Sequence, residues 1–143
     1  MPDYRRILAA IDLSDDSRAV ATRAADIARA SGGSLYLLHV VEFVPLEPMS
    51  DTLVPVVQID DQVMARAHNQ IAVLAAELGV PRESTFVEAG SAKSEILRYA
   101  REKGSDLIVL GCRERHGISI LVNRTEDTVL HGSPCDILAV RVR

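Results

Sequence analysis

Residues 6–14, RILAAIDLS, contain the pattern that decides the fold. The apolar run Arg6–Ile11 predicts a strand, and the polar residues DLS follow it at once. Beyond them, apolar residues recur at helical spacing through Val20, Ala24 and Ala28. A strand followed directly by a helix is the unit from which parallel α/β sheets are built.

The same alternation continues along the chain. Four further apolar runs predict strands, and three of these runs are nearly continuous in apolar residues, as parallel strands covered on both faces must be. Right-handed helical crossovers between parallel strands produce an open sheet with helices on both faces. We therefore expect a single α/β domain over residues 1–143, with a doubly wound, Rossmann-like, open parallel five-stranded sheet. The further strands are predicted at Ser34–Val41, Thr85–Glu88, Asp106–Leu110 and Asp136–Val142.

Four helices are predicted between these strands. Ser14 is the expected N-cap of the first helix, Asp15 and Asp16 lie near the positive end of its dipole, and Gly32 ends it. The other helices are expected from about Asp60 to Leu78 with the apolar stripe Val63, Ala67, Ile71, Leu74 and Leu78, from about Ser91 to Lys103 burying Ile96, Leu97 and Ala100, and from about Arg124 to His131 burying Val129 and Leu130.

Composition excludes several classes of protein. The 143 residues are 48% apolar and 25% charged, which excludes intrinsic disorder. A net charge of −4, together with three Tyr, two Phe and no Trp, argues against binding to nucleic acid. The apolar stretches are much shorter than the ~20 residues that span a bilayer, and no signal peptide precedes Ile7. We expect a cytoplasmic protein that does not bind membranes.

Metal, redox and catalytic signatures are not found. Cys112 and Cys135 form no CxxC motif, which predicts reduced, inert thiols, and the four His lack the spacing of a zinc site. His39 lies in a predicted buried strand and is expected to be a core histidine with its hydrogen bonds satisfied. Since no nucleophile–base pair can be named, the sequence does not indicate an enzyme.

Candidate ligand-binding residues follow from the fold class, because open parallel sheets bind ligands beyond the carboxyl ends of their strands. Asp12 comes directly after a buried strand, where a charge needs a partner. Its carboxylate either accepts a ribose hydroxyl or a metal-bound water, or accepts backbone N–H groups of its own loop. The segments at this edge are Ala10–Ser14, Val40–Glu42, Glu88–Ser91, Gly111–Arg113 and the start of the short fourth helix.

Two further segments have open interpretations. Gly111–Gly117 followed by Asn123–Arg124–Thr125 resembles an altered anion cradle, in which a helix N-terminus and the cations Arg113 and Arg124 would face a phosphate. The alternative is a solvated, charged surface loop. The proline-containing stretch Phe43–Val57 is interpreted as either a lid or a contact surface.

The residues quoted so far resemble the universal stress protein family. The resemblance runs through residues 7–42, through E-A-G-x3-SEIL at 88–97, through DLIVLG at 106–111 and through TVLHGSPCDILAVRV at 128–142. It implies the family's adenine nucleotide alpha hydrolase-like fold and a cytoplasmic homodimer. It also implies that Ile137–Val142 pairs across the dimer.

The family has two broad types, and the resemblance assigns this chain to one of them. One type binds ATP through G-x2-G-x8/9-G-[ST], and the other lacks the motif. Here only Gly111 matches, since Glu114, Asn123 and Arg124 occupy the other three positions. The half of the nucleotide site that contacts base and sugar is kept, because Asp12 matches the family's ribose contact and Val40 and Leu110 match its adenine contacts. Ala10 and Thr125 are the remaining candidate residues.

Two functions are therefore expected. In the first, the chain is a non-enzymatic stress-response homodimer that needs no cofactor and does not bind ATP tightly. A carboxylate ~4 Å from a phosphate at an effective dielectric of ~20 costs about 4 kcal/mol, so Glu114 would oppose ATP. In the second, the chain is a switch that binds an adenine nucleotide, AMP or ATP. The protein partner is unknown in both.

Overall fold

The computed structural model of the protein describes residues 3–42, 61–113, 129 and 131–142. Its strands are β1 (Arg6–Ala10), β2 (Ser34–Glu42), β3 (Thr85–Gly90), β4 (Leu107–Arg113) and β5 (Asp136–Val142), and its helices are α1 (Ser17–Ser31), α2 (Asp61–Leu78) and α3 (Ala92–Glu102), with a 3-10 turn at Arg82–Ser84.

The five strands form one parallel sheet in the order β3-β2-β1-β4-β5. The strand order reverses beside β1, because the chain proceeds from β1 to β3 on one side and then crosses to β4 on the other. β3 and β5 are the edge strands of the described sheet. The predicted open parallel sheet is confirmed.

Two apolar clusters cover the two faces of the sheet. One combines α1 and α2 with strand residues such as Ile7, Leu37 and Val109, all of which are fully buried. The other combines α3 with Leu8, Leu38 and Ile108, which are fully buried too. Because side chains alternate along a strand, consecutive residues of β1, β2 and β4 enter opposite clusters. Both faces of the central strands are therefore buried, which explains their continuous apolar sequences.

The first helix begins later than its sequence suggests. α1 starts at Ser17 with Asp16 at the N-cap position, so the prediction of Ser14 as N-cap was wrong. Ser14 accepts the backbone N–H of Asp16 with its hydroxyl and that of Ser17 with its carbonyl. These bonds form a turn that precedes the helix. The helix ends at Gly32 as predicted, with a left-handed φ of 66°.

The remaining elements differ from prediction mainly at their ends and in one buried position. Val63 was predicted on the buried stripe of α2, but it is 46% exposed, since that stripe begins at Ala67. β4 continues three residues beyond its predicted end at Leu110, because β5 pairs with it as far as Val142. Val129 is helical and fully buried against the α3 side of the sheet, within the predicted fourth helix, whereas Leu130 lies outside the described residues.

Candidate functional site

Three of the predicted adenosine contacts lie together at the carboxyl edge of the sheet. Ala10, Val40 and Leu110 all pack on the α3 side. Ala10 and Leu110 each follow a registered pair of the neighbouring strands β1 and β4, and Val40 lies two residues beyond the β2 partner of Ala10. The edge where strand order reverses therefore carries an apolar floor from three adjacent strands, in which Ala10 and Val40 are half-buried and Leu110 is 4% exposed. This is the position at which sheets of this class bind ligands.

Asp12 lies beside this floor in the turn between β1 and α1. Its side chain is exposed, because β1 ends at Ala10 and the turn leaves the core after Ile11, which is 4% exposed. One carboxylate oxygen accepts the backbone N–H of Ser14 at 3.0 Å and the Ser14 hydroxyl at 2.6 Å. Because Asp12 is exposed, its charge has no burial cost. Its carboxylate accepts hydrogen bonds within its own loop, which is one of the two roles predicted for it.

The turn has an unusual backbone. Leu13 has a φ of 58°, the left-handed region that residues with a side chain enter at a cost of about 1–2 kcal/mol. Ser14 binds on both sides of this residue, to Asp12 before it and to Ser17 after it, where the Ser17 hydroxyl donates to the Ser14 carbonyl at 2.7 Å. Nothing in the sequence signals the left-handed Leu, since glycine or asparagine is the usual occupant.

A hydrogen bond from β2 also reaches this turn. The Nδ1 atom of His39 lies 2.7 Å from the carbonyl oxygen of Ile11. Since a carbonyl oxygen only accepts, Nδ1 carries the proton. His39 is half-buried, so the prediction of a core histidine was wrong, whereas the predicted hydrogen bond is present. Sequence reasoning did not find its partner. That partner is a backbone atom 28 residues away, which no residue pattern identifies.

Gly111 occupies a different environment from the one predicted. It was expected to open a glycine-rich turn, but it lies inside β4 and pairs with Val140. A Cβ atom at this position would meet Val20 of α1 at 3.2 Å. Close packing of helix on strand therefore accounts for this glycine without a phosphate. Glu114, Asn123, Arg124, Thr125, the stretch Phe43–Val57 and the Arg113 side chain lie outside the described residues.

A second polar group lies farther along the edge, at the end of β3. The hydroxyl of Tyr99 donates to the carboxylate of Glu88, and the Arg98 guanidinium lies 3.5 Å from the same carboxylate. Burial, and then the bond to Glu88, raise the pKa of Tyr99 to about 12. Arg98 also binds Glu95, which raises the pKa of Arg98. Since these charges satisfy one another, the group stabilises α3 against β3.

Among the residues that the structure describes, the thiols and the metal-ligating side chains form no common site. Cys112 lies near the end of β4 and Cys135 directly precedes β5, so the two thiols are at opposite ends of paired strands. Burial raises the pKa of Cys135. Within residues 3–42, 61–113, 129 and 131–142, no three His, Cys, Asp or Glu side chains could share a metal ion, and no helix is long and apolar enough to cross a membrane.

The fold defines a Rossmann-like α/β protein, a class in which ligands bind beyond the carboxyl ends of the central strands. The sequence profile of the universal stress protein family matches residues 3–141. The chain belongs to this family. It is 33% identical to universal stress protein A homolog 2 of Coxiella burnetii over 100% of this chain and 99% of that one. It is also 33% identical to homolog 1 of that organism over 96% of each chain.

Solved structures of the family share the fold. Universal stress protein UspA from Lactobacillus plantarum is 25% identical, with a TM-score of 0.76 over 99% of this chain and 100% of that one. A universal stress protein in complex with cAMP is 20% identical, with a TM-score of 0.66 over 97% and 98%. One from Archaeoglobus fulgidus in complex with dAMP is 18% identical, with a TM-score of 0.63 over 97% and 99%.

Proposed function

We propose that this chain is a cytoplasmic, non-enzymatic universal stress protein that acts as a homodimer and does not bind ATP tightly. The observation that carries this proposal is the loss of the phosphate half of the site. In the eight-residue spacing of the motif, Glu114, Asn123 and Arg124 stand where it has Gly, Gly and Ser or Thr. In the nine-residue spacing Thr125 matches the last position, but Glu114 and Arg124 still replace both glycines. Gly111, which matches in both spacings, is explained by its packing under Val20.

Charge supports the same conclusion. ATP carries most of its negative charge on the outer phosphates, and Glu114 adds another negative charge to the segment that would enclose them. At about 4 kcal/mol, the repulsion estimated for Glu114 corresponds to roughly a thousandfold in affinity. Arg124 offers a bidentate donor in the same segment, but its guanidinium also needs the space that a small hydroxyl residue leaves for phosphate.

The homodimer is proposed through the edge strand β5. Its far edge carries no strand among the described residues, and an uncovered edge pairs readily with a second chain. Ile137 and Leu138 are half-buried on opposite faces of β5, so pairing with a second β5 would bury them further. Val140 is only 7% exposed within one protomer, so it contributes to the core of the protomer and has little surface left to bury in a dimer.

A second function, binding of AMP or adenosine, is favoured by one specific observation. Ala10, Val40 and Leu110 share one face of the carboxyl edge, and the exposed Asp12 carboxylate lies beside them. An apolar floor suits an adenine ring, and a fixed carboxylate suits ribose hydroxyls. Two solved relatives are complexes with cAMP and dAMP, and each of these ligands contains one phosphate. A ligand of this kind would not require the outer-phosphate cradle that this chain lacks.

The test is a thermal-melt titration of the parent protein and of a motif-restored variant. ATP, ADP, AMP and adenosine are each added with and without Mg²⁺. The variant Glu114→Gly/Asn123→Gly/Arg124→Ser recreates G-x2-G-x8-G-S, and its matched control adds Asp12→Ala. A ligand at a hundred times its Kd stabilises by about 2.7 kcal/mol, a shift of several degrees in Tm.

We expect ATP to stabilise the restored variant and to leave the parent unchanged at millimolar concentration. Asp12→Ala should remove the gain. A strong ATP shift in the parent would contradict the leading proposal. A parent shift with AMP or adenosine alone would favour the second function, and no shift with either would exclude it. Phosphate release by the parent that exceeds background and disappears in Asp12→Ala would contradict a non-enzymatic role.

A further inference from the structure

The histidine bond described above fixes the residue from which the Asp12 turn starts. Ile11 donates its N–H to the Leu38 carbonyl at 2.8 Å and accepts the His39 imidazole at 2.7 Å. Two consecutive residues of β2 therefore hold both backbone polar groups of Ile11. The registered pairing of β1 with β2 ends one residue earlier, at Ala10 and Leu38. The backbone bond and the imidazole together extend the attachment of β1 to β2 by one residue.

His39 lies on the opposite face of the sheet from the adenosine floor. Its neighbours at alternate positions, Leu37 and Val41, pack on the α1/α2 side, whereas Val40 packs on the α3 side. A ligand resting on Val40 would be separated from the imidazole by the strand itself. Any effect of His39 on such a ligand must therefore act through Ile11 and the residues that follow it.

The residues after Ile11 form a conformation that needs such an anchor. Leu13 is left-handed, and Asp12 and Ser14 bind each other across it. A strained backbone conformation of this kind persists only when several surrounding contacts hold it in place. Downstream, Ser17 at the start of α1 holds Ser14. Upstream, the anchor is Ile11 with its two bonds to β2.

We infer that His39 is a positioning residue: its imidazole anchors Ile11, maintains the left-handed turn at Leu13, and so fixes the Asp12 carboxylate at the ligand edge. The part of this inference that concerns ligand rests on the second proposed function, the binding of AMP or adenosine. The part that concerns the turn stands on the hydrogen bonds alone. The experiment separates the two.

The experiment compares His39→Leu with His39→Asn in the full chain. Leucine fills similar space without a donor, whereas the asparagine side-chain N–H₂ can reach the place of Nδ1–H and donate to Ile11. The first readout is the exchange rate of the Ser14 amide hydrogen by NMR. We expect this exchange rate to rise about tenfold in His39→Leu, which corresponds to the loss of one hydrogen bond. In His39→Asn the rate should return toward that of the parent. Amides of Ala24 and Ala28 in the middle of α1 report whether the fold as a whole has loosened.

The second readout is the Kd of AMP by calorimetry, in both variants with and without Asp12→Asn. We expect His39→Leu to weaken AMP about tenfold, His39→Asn to restore it, and His39→Leu to add little once Asp12→Asn is present. The inference would be overturned if the Ser14 amide exchanged at the parent rate in His39→Leu, or if a folded His39→Asn failed to restore the parent rate. It would also be overturned if His39→Leu weakened AMP binding equally with and without the Asp12 carboxylate. If the parent binds neither AMP nor adenosine while Ser14 exchange responds as expected, the ligand function fails and the positioning role stands.

Discussion

The hydroxyl of Tyr99, on α3, donates its hydrogen to the carboxylate of Glu88, at the end of the edge strand β3. Tyr99 is 7% exposed, and its ring lies 5.0 Å from that of Phe86 and beneath the Arg98 guanidinium, 4.8 Å away. Lys103 in turn lies 4.7 Å over Phe86. Phe86 of β3 and Arg98 of α3 therefore both contact the Tyr99 ring, whereas Lys103, directly after α3, contacts Phe86.

Ionisation of Tyr99 should destabilise the fold at alkaline pH. Burial and the bond to Glu88 raise its pKa from 10.0 to about 12, so the folded protein holds the phenol proton more tightly than the unfolded chain does. The stabilisation is complete below pH 10 and is lost as the pH rises through about 12. We expect one of the three tyrosines to ionise near pH 12 in an absorbance titration, and Tyr99→Phe to lack that step.

Unfolding measurements give the matching control. The free energy of unfolding of the parent should fall more steeply between pH 10 and pH 12 than that of Tyr99→Phe, because only the parent loses this proton. Tyr36→Phe keeps the Glu88 bond and should follow the parent. Equal slopes for the parent and Tyr99→Phe would show that this phenol ionises normally.

Ser91 should contribute to stability as the N-cap of α3. Its hydroxyl accepts the backbone N–H of Ser94 at 3.4 Å, and its φ and ψ are extended. We expect Ser91→Ala to lower the free energy of unfolding by about 0.5–1 kcal/mol in urea, toward the small end of the range because the bond is long. Ser94→Ala retains the backbone donor and should change stability little. A Ser91→Ala variant as stable as the parent would show that the long bond contributes nothing.

The two adjacent glycines after α1 should respond differently to the same substitution. Gly32 has a φ of 66° with nothing within 4 Å of a new Cβ, so Gly32→Ala should cost only its backbone conformation, about 1 kcal/mol. At Gly33 a Cβ would lie 2.4 Å from the Tyr4 carbonyl oxygen, and we expect a loss of about 3 kcal/mol. Urea unfolding of both variants tests this order, and Gly32→Asn, which tolerates positive φ, should recover part of the first loss.

Dimerisation through β5 should be removable without loss of the fold. Ala139 is exposed on the edge strand, so Ala139→Glu would place two like charges near each other in a paired β5–β5 interface. We expect a dimer for the parent and a monomer for the variant by light scattering at tens of micromolar. Ala30→Glu, at an exposed position of α1, is the control and should stay dimeric. A monomeric parent would contradict the proposed assembly.

The sequence by itself determined the fold class. Apolar runs such as Asp106–Leu110 and Asp136–Val142 predict buried strands, and an end signal such as Gly32 predicts where a helix stops. These signals are local, because helix caps and strand burial depend on residues a few positions apart. Ala10 and Val40 were expected at the carboxyl edge from the fold class, since strand ends in a parallel sheet meet at one edge, whereas Leu110 was expected there from the family resemblance.

Only the tertiary structure decided how that edge is built. The bond from His39 to Ile11 and the place of Gly111 inside β4 under Val20 both depend on atoms from segments far apart in the chain. Ser14 shows the same limit on a smaller scale, because its hydroxyl binds within the turn and the helix begins at Ser17. Local sequence patterns indicate which residues could form a binding site, whereas tertiary packing determines which hydrogen-bond partner each of these residues has.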